Sequence, residues 1–320
     1  MTTPSPYGAP RPQEPAISGV LVIDKPAGMT SHDVVAAVRR MLRIRQIGHF
    51  GTLDPFATGV LPLSIGKATR FAQFYLKSRK AYAGVIRFGF STDTYDATGK
   101  PTSEAVQGQP ERESLERLFQ ELTGRISQAP PPFSAKRVNG ERAYALARRQ
   151  QAVELQPVEV EIYALELLGL EGQEARFAVE CSGGTYVRSL AHDAGRRLDI
   201  PAHLAALRRT AVAEFTESQS TTLDDLQRSA DKGEPPTTFI ALESLLPECP
   251  ALVVRGNEER SVRHGHSFEL AHSLRADRGL RPDQPAPAIS VLKVLGADRK
   301  LIAVARHVVG NVYHPDLVLV

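Results

Sequence analysis

The 320-residue chain has only two cysteines and no long apolar run. Cys181 and Cys249 are too few for a disulfide framework and lack the paired spacing of a zinc site, which favours a reducing compartment. The N-terminal residues contain no apolar stretch for a signal peptide, and no later segment approaches the roughly 18 apolar residues of a membrane span. We therefore expect a cytoplasmic protein without a membrane anchor, starting with a disordered Pro-rich tail over residues 1–17.

Common ligand signatures are also missing. The segment "GVLPLSIGKAT" lacks the spacing of a nucleotide-binding P-loop, because Leu61 and Ala68 stand where glycine and serine or threonine are needed. Cys181, at the end of an alternating strand, is better explained as a small core residue than as a nucleophile. Exposed loop histidines are favoured over a metal site for a cluster without a nearby cysteine: His264, His266 and His272.

Charge is nearly balanced overall but uneven along the chain. The 39 lysines and arginines exceed the 36 aspartates and glutamates by only three. The basic residues gather in three runs with little acid between them: Arg39, Arg40, Arg43 and Arg45; Lys67, Arg70, Lys77, Arg79 and Lys80; and Lys136, Arg137, Arg142, Arg148 and Arg149. Such segregation suits a phosphate-binding surface, and solvated helix faces give the same pattern. Both interpretations stay open at this point.

Strands, helices and loops alternate without a regular strand–helix–strand period. A helix is predicted to begin at Ser31, the candidate N-cap, a second over residues 111–123, and a third after Gly140. This interleaving favours an α+β fold over a doubly wound sheet. From about residue 246, short strands separated by glycine turns predict a small β-rich second domain.

The loop "GHFGTLDPFATGVLP" contains one carboxylate, Asp54, and no adjacent cation. Asp-Pro flanked by glycine and threonine is a common turn former, and on local pattern alone the turn is the stronger interpretation. Four apolar neighbours would however surround the carboxylate, where an unpaired charge is costly: Phe50, Leu53, Phe56 and Val60. A distant arginine must then pair with Asp54, or the group must be neutral. Arg188, which follows the turn "GGTY", is a candidate.

Two tyrosines, Tyr82 and Tyr186, are open to two interpretations. A tyrosine in or beside a strand usually packs with its hydroxyl at the rim. Next to a basic surface, an aromatic ring can also stack on an extruded base, which is worth about 1–3 kcal/mol per base. The sequence does not choose between these roles.

Five motifs together resemble the TruB family, the bacterial tRNA pseudouridine synthases that modify the T-loop uridine. They are "GVLVIDKPAGMTS", "GHFGTLDPFATGVLP", "KAYAGVIRFGFSTDTYDATG", "PPFSAKRVNGERAYALAR" and "CSGGTYVRSLAHDAG", followed by "LRRTAV". The resemblance covers residues 18–215. It implies a pseudouridine synthase catalytic domain over residues 18–245, with a mixed, mainly antiparallel sheet flanked by helices and an RNA-clamping insertion at about 126–152. A PUA-like RNA-binding domain is implied over residues 246–320.

The resemblance also implies an activity. Uridine-55 of tRNA would be flipped out, its N-glycosidic bond broken, and the base rejoined through carbon 5, without metal or cofactor. The implied partner is the T stem-loop of tRNA, bound by a monomer. Two alternatives remain, namely a catalytically silent tRNA-binding or tRNA-folding protein and a pseudouridine synthase that acts on another RNA.

Residue roles follow from the matching motif positions. Asp54 is implied to be the nucleophile, Arg188 its partner, and Tyr82 both the stacking ring and the general base at carbon 5. Substrate contacts are implied for four residues: His49, Tyr82, Tyr186 and Leu207. A structural role near the site is implied for four more: Lys25, Pro26, Gly51 and Gly59.

Overall fold

The computed structural model describes residues 17–133, 155–234, 236, 238–269 and 290–319, and the backbone of residues 137–138 and 141–142. These residues divide into two compact units. The large unit comprises residues 21–65 and 71–239, and the small unit comprises residues 17–20, 66–70 and those from 240 onward. Four predictions lie wholly or largely outside the described residues: the tail at 1–17, the insertion at 126–152, the side chains of the third basic run, and His272.

The described residues contain six α-helices: α1 (Ser31–Leu42), α2 (Ala72–Tyr75), α3 (Arg112–Glu121), α4 (Val187–Arg197), α5 (Leu223–Lys232) and α6 (Gly256–Arg263). The helices predicted at residues 31 and 111–123 are confirmed by α1 and α3. The helix predicted after Gly140 is wrong at its start, because residues 141–142 form a strand that pairs with residues 137–138.

The N-cap of α1 is Thr30 and not Ser31. The Thr30 hydroxyl accepts a hydrogen bond from the Asp33 backbone N–H at 3.1 Å, and the Asp33 carboxylate accepts one from the Thr30 backbone N–H at 2.9 Å. This reciprocal capping box satisfies the exposed end of the helix. Ser31 is buried instead, and its hydroxyl is free for another partner.

Most strands of the large unit form one sheet. Its eleven strands are β1 (Gly19–Lys25), β2 (Ile47–His49), β3 (Thr58–Ile65), β4 (Lys80–Phe88), β5 (Gly124–Gln128), β8 (Val158–Glu171), β9 (Glu174–Cys181), β10 (Ala202–Val212), β11 (Phe215–Thr216), β12 (Ser220–Thr221) and β13 (Phe239–Ala241). The short hairpin β6 (Arg137–Val138) and β7 (Glu141–Arg142) is separate. The sheet has the order β12-β1-β3-β10-β4-β9-β8-β5.

The sheet is mixed and mainly antiparallel. Strands β1 and β12, and β3 and β10, are parallel. The pairs β4–β10, β4–β9, β8–β9, β5–β8 and β2–β3 are antiparallel. The α+β fold class and the mainly antiparallel sheet are therefore confirmed.

Strand β10 brings together the segments that carry the predicted site. Arg209 pairs with Tyr82 of β4 on one side and with Gly59 of β3 on the other. Gly59 has φ +102°, and a Cβ added there would lie 2.2 Å from the Arg209 carbonyl oxygen. Only glycine allows this close approach, which sets the position where the loop before β3 rejoins the sheet.

The core of the large unit includes two apolar clusters that lie next to the predicted site. One packs α3 and α4 against β4, β8, β9 and β10, and it includes Tyr82 and Leu207. The other packs α1 and α5 against β1, β2 and β3. Leu53 and Ala57 belong to the first cluster, so the loop that carries Asp54 is anchored in the core on both sides of the aspartate.

The small unit is built mainly of strands, as predicted. Its five-stranded sheet has the order β14-β16-β17-β18-β15, with strands β14 (Ala251–Val253), β15 (Phe268–Glu269), β16 (Val291–Leu295), β17 (Leu301–Val309) and β18 (Val312–Val318). The short strand β13 (Phe239–Ala241) lies at the boundary between the units. Val262 of α6 packs into the apolar core of this sheet. No helix in the described part of the chain is long and apolar enough to cross a membrane.

Candidate active site

The loop between β2 and β3 carries Asp54 and has no regular secondary structure. Its carbonyl groups must find partners elsewhere, because a buried carbonyl without a hydrogen bond is costly. Arg209 supplies several, although its side chain has no solvent-exposed surface. The guanidinium donates to the carbonyl oxygens of Gly51 at 3.1 Å, Thr52 at 3.2 Å and Val60 at 2.8 Å. One buried cation thus ties both arms of the loop together.

The residues on either side of Asp54 are fixed by the segment that joins β1 to α1. The Ser31 hydroxyl donates to the Leu53 carbonyl at 3.1 Å and accepts from the Leu53 N–H at 2.9 Å. The Pro55 carbonyl accepts from the Lys25 ammonium at 3.1 Å and from the Gly28 N–H at 2.8 Å. The backbone therefore has little freedom at the position of the carboxylate.

The turn interpretation of Asp54 is correct as geometry. The Asp54 carbonyl accepts a hydrogen bond from the Ala57 N–H at 3.1 Å. Pro55 occupies the second position of this four-residue turn, which its fixed φ favours. With this bond, every carbonyl from residue 51 to residue 55 has a donor.

Arg188 reaches Asp54 from 134 residues further along the chain. Its Nε donates to one carboxylate oxygen at 2.9 Å and its Nη2 to the other at 3.1 Å. Two parallel bonds from a planar guanidinium fix both the position and the plane of a carboxylate. The predicted partner is therefore present, in its most directional form.

The remaining donors of Arg188 are also engaged. Its Nη1 donates to the Thr94 carbonyl at 3.0 Å and lies 3.6 Å from an oxygen of Asp96. Its Nη2 also donates to the Phe133 carbonyl at 3.1 Å. The Arg188 and Asp96 side chains are 6% and 5% exposed, whereas that of Asp54 is 34% exposed. The carboxylate thus stands at the solvent side of a buried network.

The apolar environment expected around Asp54 is only partly present. Leu53 is buried in the cluster that contains Tyr82, and Phe56 packs against that cluster. Phe50 instead stacks on Tyr75, with a ring-centroid distance of 4.4 Å. One third of the Asp54 side chain is open to solvent, so the apolar neighbours do not enclose the carboxylate.

Arg188 projects from the first turn of α4. Tyr186 is the N-cap residue of this helix. Its backbone N–H donates to the Gln128 side-chain oxygen at 2.8 Å, and its carbonyl accepts from the Gln128 amide at 3.0 Å. The fully buried Gln128 side chain thus holds the helix start from both sides and positions the arginine that follows two residues later.

Tyr82 and Leu207 lie on adjacent strands in the same cluster, 8% and 7% exposed. Residues directly opposite each other in a sheet point to the same face, so the Tyr82 and Arg209 side chains lie side by side. Burial raises the pKa of Tyr82 to about 12, and the nearby Arg209 charge opposes this effect. Tyr82 is therefore a neutral phenol at physiological pH.

His49 ends β2 and is half-buried. Burial, reinforced by the Arg209 charge, lowers its pKa. The Gly51 N–H donates to Nδ1 at 3.2 Å, so a neutral ring carries its proton on Nε2. Gly51 has φ +135° and lies close to the Lys80 side chain, where a Cβ would be 3.3 Å from Cε.

The second basic run is mainly structural. Lys80 is buried and donates to the carbonyls of Leu76 and Ser78, and burial lowers its pKa to about 8. Arg79 forms an ion pair with Glu180 at 3.1 Å. Lys67 and Arg70 donate to main-chain carbonyls near the C-terminus. Only Lys80 is buried among these four residues, so the phosphate-binding interpretation stays a prediction for the exposed members of the run, Arg70, Lys77 and Arg79.

The first basic run contains three exposed arginines. Arg39 is partly buried and donates to the Ile47 carbonyl at 2.7 Å. Arg40, Arg43 and Arg45 are exposed, and none forms an ion pair within the described residues. Three arginines are thus available for a ligand.

Other predicted or excluded chemistry can be placed as well. Cys181 is 1% exposed, and burial raises the pKa of its thiol to about 11, so it is a core residue as predicted. Among the described residues, no group of three or more histidine, cysteine, aspartate or glutamate side chains is arranged to hold a metal ion. His264 and His266 are partly or well exposed on a turn.

Several residues of the site were not identified from the sequence: Ser31, Thr94, Asp96, Gln128 and Arg209. Most of them bind backbone groups, and a short sequence motif does not indicate which polar side chains make such contacts. Arg209 had one usable signal, since a second arginine in a central strand needs a buried partner. Asp96 had another, because its segment "TDTYDATG" combines several side chains that favour hydrogen-bonded turns.

Comparison with known proteins adds a family context to this geometry. The family model described as TruB family pseudouridylate synthase (N terminal domain) matches residues 39–187, and the one described as tRNA pseudouridylate synthase B C-terminal domain matches residues 188–247. A Solibacter usitatus protein named tRNA pseudouridine synthase B is 46% identical over 303 residues, which cover 95% of this chain and 100% of that protein.

Two further similarities agree with this match. An Aquifex aeolicus protein, also named tRNA pseudouridine synthase B, is 44% identical over 234 residues, covering 72% of this chain and 81% of that protein. Among solved structures, a chain in the crystal structure of a Cbf5-Nop10-Gar1 complex is 26% identical with a TM-score of 0.67, covering 92% of this chain and 79% of that chain.

The buried Lys25 ammonium should make stability depend on pH. Burial lowers its pKa to about 8, whereas the pKa of a lysine in the unfolded chain is about 10.4. Between these values the unfolded chain binds more protons, so wild-type stability rises with pH. The Lys25→Met variant lacks this contribution. Between pH 8 and about 10.4, the free energy of unfolding of the wild type should therefore rise by up to about 3 kcal/mol relative to that of Lys25→Met.

Urea unfolding at a series of pH values between 7 and roughly 10.5 measures this difference. Lys232→Met, which removes an exposed lysine from α5, is the control for the loss of one positive charge. Curves for the wild type and Lys25→Met that stay parallel across the window would contradict the expected titration.

Proposed function

Because the chain belongs to the TruB family of pseudouridine synthases, we propose that it isomerises uridine-55 in the T-loop of tRNA, with Asp54 as the nucleophile. The observation that supports this most directly is the two-point contact between Arg188 and Asp54. A carboxylate has about four lone-pair sites, so each Asp54 oxygen keeps one after binding Arg188. One third of the Asp54 side chain is exposed to solvent, so a flipped-out nucleobase could reach it.

The proposed reaction is balanced within one nucleotide. The bond between N1 of uracil and C1′ of ribose breaks, the freed base rotates, and a bond forms between C5 and C1′. The proton that leaves C5 is matched by one gained at N1, so no electrons or groups enter from outside. Asp54 would act as the nucleophile that assists departure of the base.

The base must leave the folded T-loop before Asp54 can reach it. Unstacking a base costs a few kcal/mol, which stacking on an aromatic ring and phosphate contacts can offset. We assign stacking to Tyr82, and pocket contacts to Tyr186 and Leu207. His49, neutral and at the end of β2, would fill the space that the base leaves.

The raised pKa of Tyr82 restricts the way in which it can act as a general base. A phenol with a pKa of about 12 carries its proton at neutral pH, so its oxygen accepts the C5 proton only if the phenolic proton moves on in the same step. Stacking needs no such transfer. We therefore assign stacking as the main role of Tyr82, with proton relay as its only route to general-base catalysis.

We propose that the T stem-loop is held through its phosphates. Arg40, Arg43 and Arg45 are the exposed arginines of the first basic run, and cations that neutralise phosphates bind RNA without reading its sequence. The small β-rich unit is proposed to be a PUA-like RNA-binding domain. The alternative of a silent tRNA-binding protein is disfavoured by the intact contact between Arg188 and Asp54, which binding alone does not require.

The test of the reaction is a site-specific map of pseudouridine. Unmodified tRNA is incubated with the wild type and with Asp54→Asn, and pseudouridine is located by carbodiimide treatment and primer extension. We expect a single stop at the T-loop uridine with the wild type, and a rate at least about 10³-fold lower with Asp54→Asn, because an amide is not a nucleophile in this role.

Asp225→Asn is the matched control, since it makes the same chemical change at an exposed cap of α5. If the wild type modified only another position of tRNA, or only another RNA, the assignment of the T-loop uridine as substrate would be wrong. Full turnover by Asp54→Asn would remove Asp54 from the reaction.

The phosphate contacts make a second prediction, on salt dependence. The triple variant Arg40→Gln/Arg43→Gln/Arg45→Gln should bind tRNA more weakly, and the slope of log Kd against log salt should fall by about 1–3. The control Arg112→Gln/Arg117→Gln/Arg197→Gln removes the same charge from exposed arginines in an acidic region. Fluorescence anisotropy with labelled tRNA measures both, and equal slopes for the two variants would exclude the first run from the interface.

A further inference from the structure

Tyr95 and His192 form the closest ring stack among the described residues. Their ring centroids lie 3.8 Å apart, and the planes are inclined by only 6°. Both side chains are partly buried. Neither residue contacts Asp54 in the arrangement described above, and neither has a role in the proposed reaction.

The two rings come from the two segments that meet at Arg188. His192 follows Arg188 by four residues on α4, so both side chains lie on one face of the helix, one turn apart. Tyr95 lies between Thr94, whose carbonyl accepts from Arg188 at 3.0 Å, and Asp96, whose carboxylate lies 3.6 Å from the same nitrogen. The stack is thus a second contact between the helix and the turn, one helical turn beyond the first.

The turn itself is organised around the carboxylate of Asp96. That group accepts hydrogen bonds from the Thr94 hydroxyl at 2.8 Å and from the Thr98 N–H at 2.9 Å. The Tyr95 carbonyl accepts from the Leu204 N–H of β10 at 3.0 Å. These bonds fix the turn internally and to the sheet, and the contacts with Arg188 and His192 fix it against α4.

Tyr95 occupies a backbone conformation that its side chain disfavours. Its φ is +63°, in the left-handed region that glycine adopts readily and a bulky residue avoids. A tyrosine at such a position therefore needs a contact that glycine could not make. The ring stack on His192 is that contact in this structure.

The His192 ring is held by packing on its buried edge. Its Nδ1 is buried and has no hydrogen-bond partner within the described residues. The face of the ring lies against the Tyr95 ring. The stack is therefore a specific contact that both rings share.

We propose that the Tyr95–His192 stack is a positioning pair that holds the Thr94–Asp96 turn against α4 and so sets the orientation of the Arg188 guanidinium on Asp54. The proposal rests on the proposed function of Asp54 and Arg188. Neither ring needs to touch the RNA. Loss of the stack should leave tRNA binding intact and slow the chemical step, because a guanidinium that can rotate no longer fixes the plane of the carboxylate.

The test uses two substitutions at Tyr95 with opposite expectations. Tyr95→Phe keeps the ring and should retain kcat within about twofold, since the stack needs only the ring face. Tyr95→Gly removes the ring but suits the positive φ, so the backbone of the turn is favoured. It should lower kcat about three- to tenfold with KM for tRNA unchanged.

A double-variant cycle tests the pairing. His192→Ala alone should reproduce the effect of Tyr95→Gly, and the combination should be no slower than the slower single variant, because both changes delete one contact. Tyr163→Ser, which removes an exposed tyrosine ring from β8, should leave kcat unchanged. Thermal unfolding of each variant checks the fold, and His192→Ala, which leaves the turn sequence intact, decides the outcome if Tyr95→Gly is poorly folded.

Wild-type kcat in both Tyr95→Gly and His192→Ala, or an effect confined to KM, would overturn the proposal. A strictly additive double variant would overturn the pairing. Asp54→Asn, assayed in parallel, distinguishes a failure of the positioning role from a failure of the proposed role of Asp54. If it is inactive while the ring variants behave as wild type, only the positioning role fails, and if it is active, the proposed role of Asp54 fails first.

Discussion

The loop that carries Asp54 has no hydrogen-bond ladder of its own, and the rest of the site depends on how its carbonyl groups are satisfied. Arg209 binds the two arms, Ser31 binds the residue before the aspartate, and Lys25 binds the residue after it. These donors come from β10, α1 and β1, three elements that pack together only in the complete fold. The position of one carboxylate is therefore a property of the whole large unit, and an isolated loop of the same sequence would not have it.

Buried cations serve two purposes in this arrangement. Lys25, Lys80 and Arg209 donate mainly to carbonyl oxygens, and the Asp54 charge offsets only part of the effect of burial on the pKa of Lys25. Burial of these charges is costly, as the lowered pKa of both lysines shows. These cations support the loop that carries Asp54, and under the proposed function their positive charge would favour the approach of an anionic RNA backbone. The same residues thus support the loop and shape its electrostatic environment.

Sequence reasoning required a distant arginine for Asp54, because an unpaired charge among apolar neighbours is costly, and it offered Arg188 as a candidate. The resemblance to the TruB family implied the pair itself. Sequence reasoning also predicted the α+β class and the β-rich second unit from periodicity. It placed the α1 cap one residue late, since Thr30 and Ser31 are both good caps and only the fold shows that Ser31 is needed by Leu53. Basic runs were ambiguous for a similar reason. In the sequence, a cation that binds a backbone carbonyl, such as Lys80, looks the same as an exposed cation that we propose to bind a phosphate, such as Arg43.

The central claim is that Arg188 acts through the geometry of its fork and not through its charge alone. Arg188→Lys separates the two, because lysine keeps the positive charge but cannot donate two parallel bonds to one carboxylate. The measurement is the single-turnover rate of pseudouridine formation at saturating enzyme. The account predicts a rate at least about 100-fold below that of the wild type, as expected for a misplaced reacting group. A rate within about threefold of that of the wild type, which is a change of less than about 1 kcal/mol in the activation free energy, would contradict it.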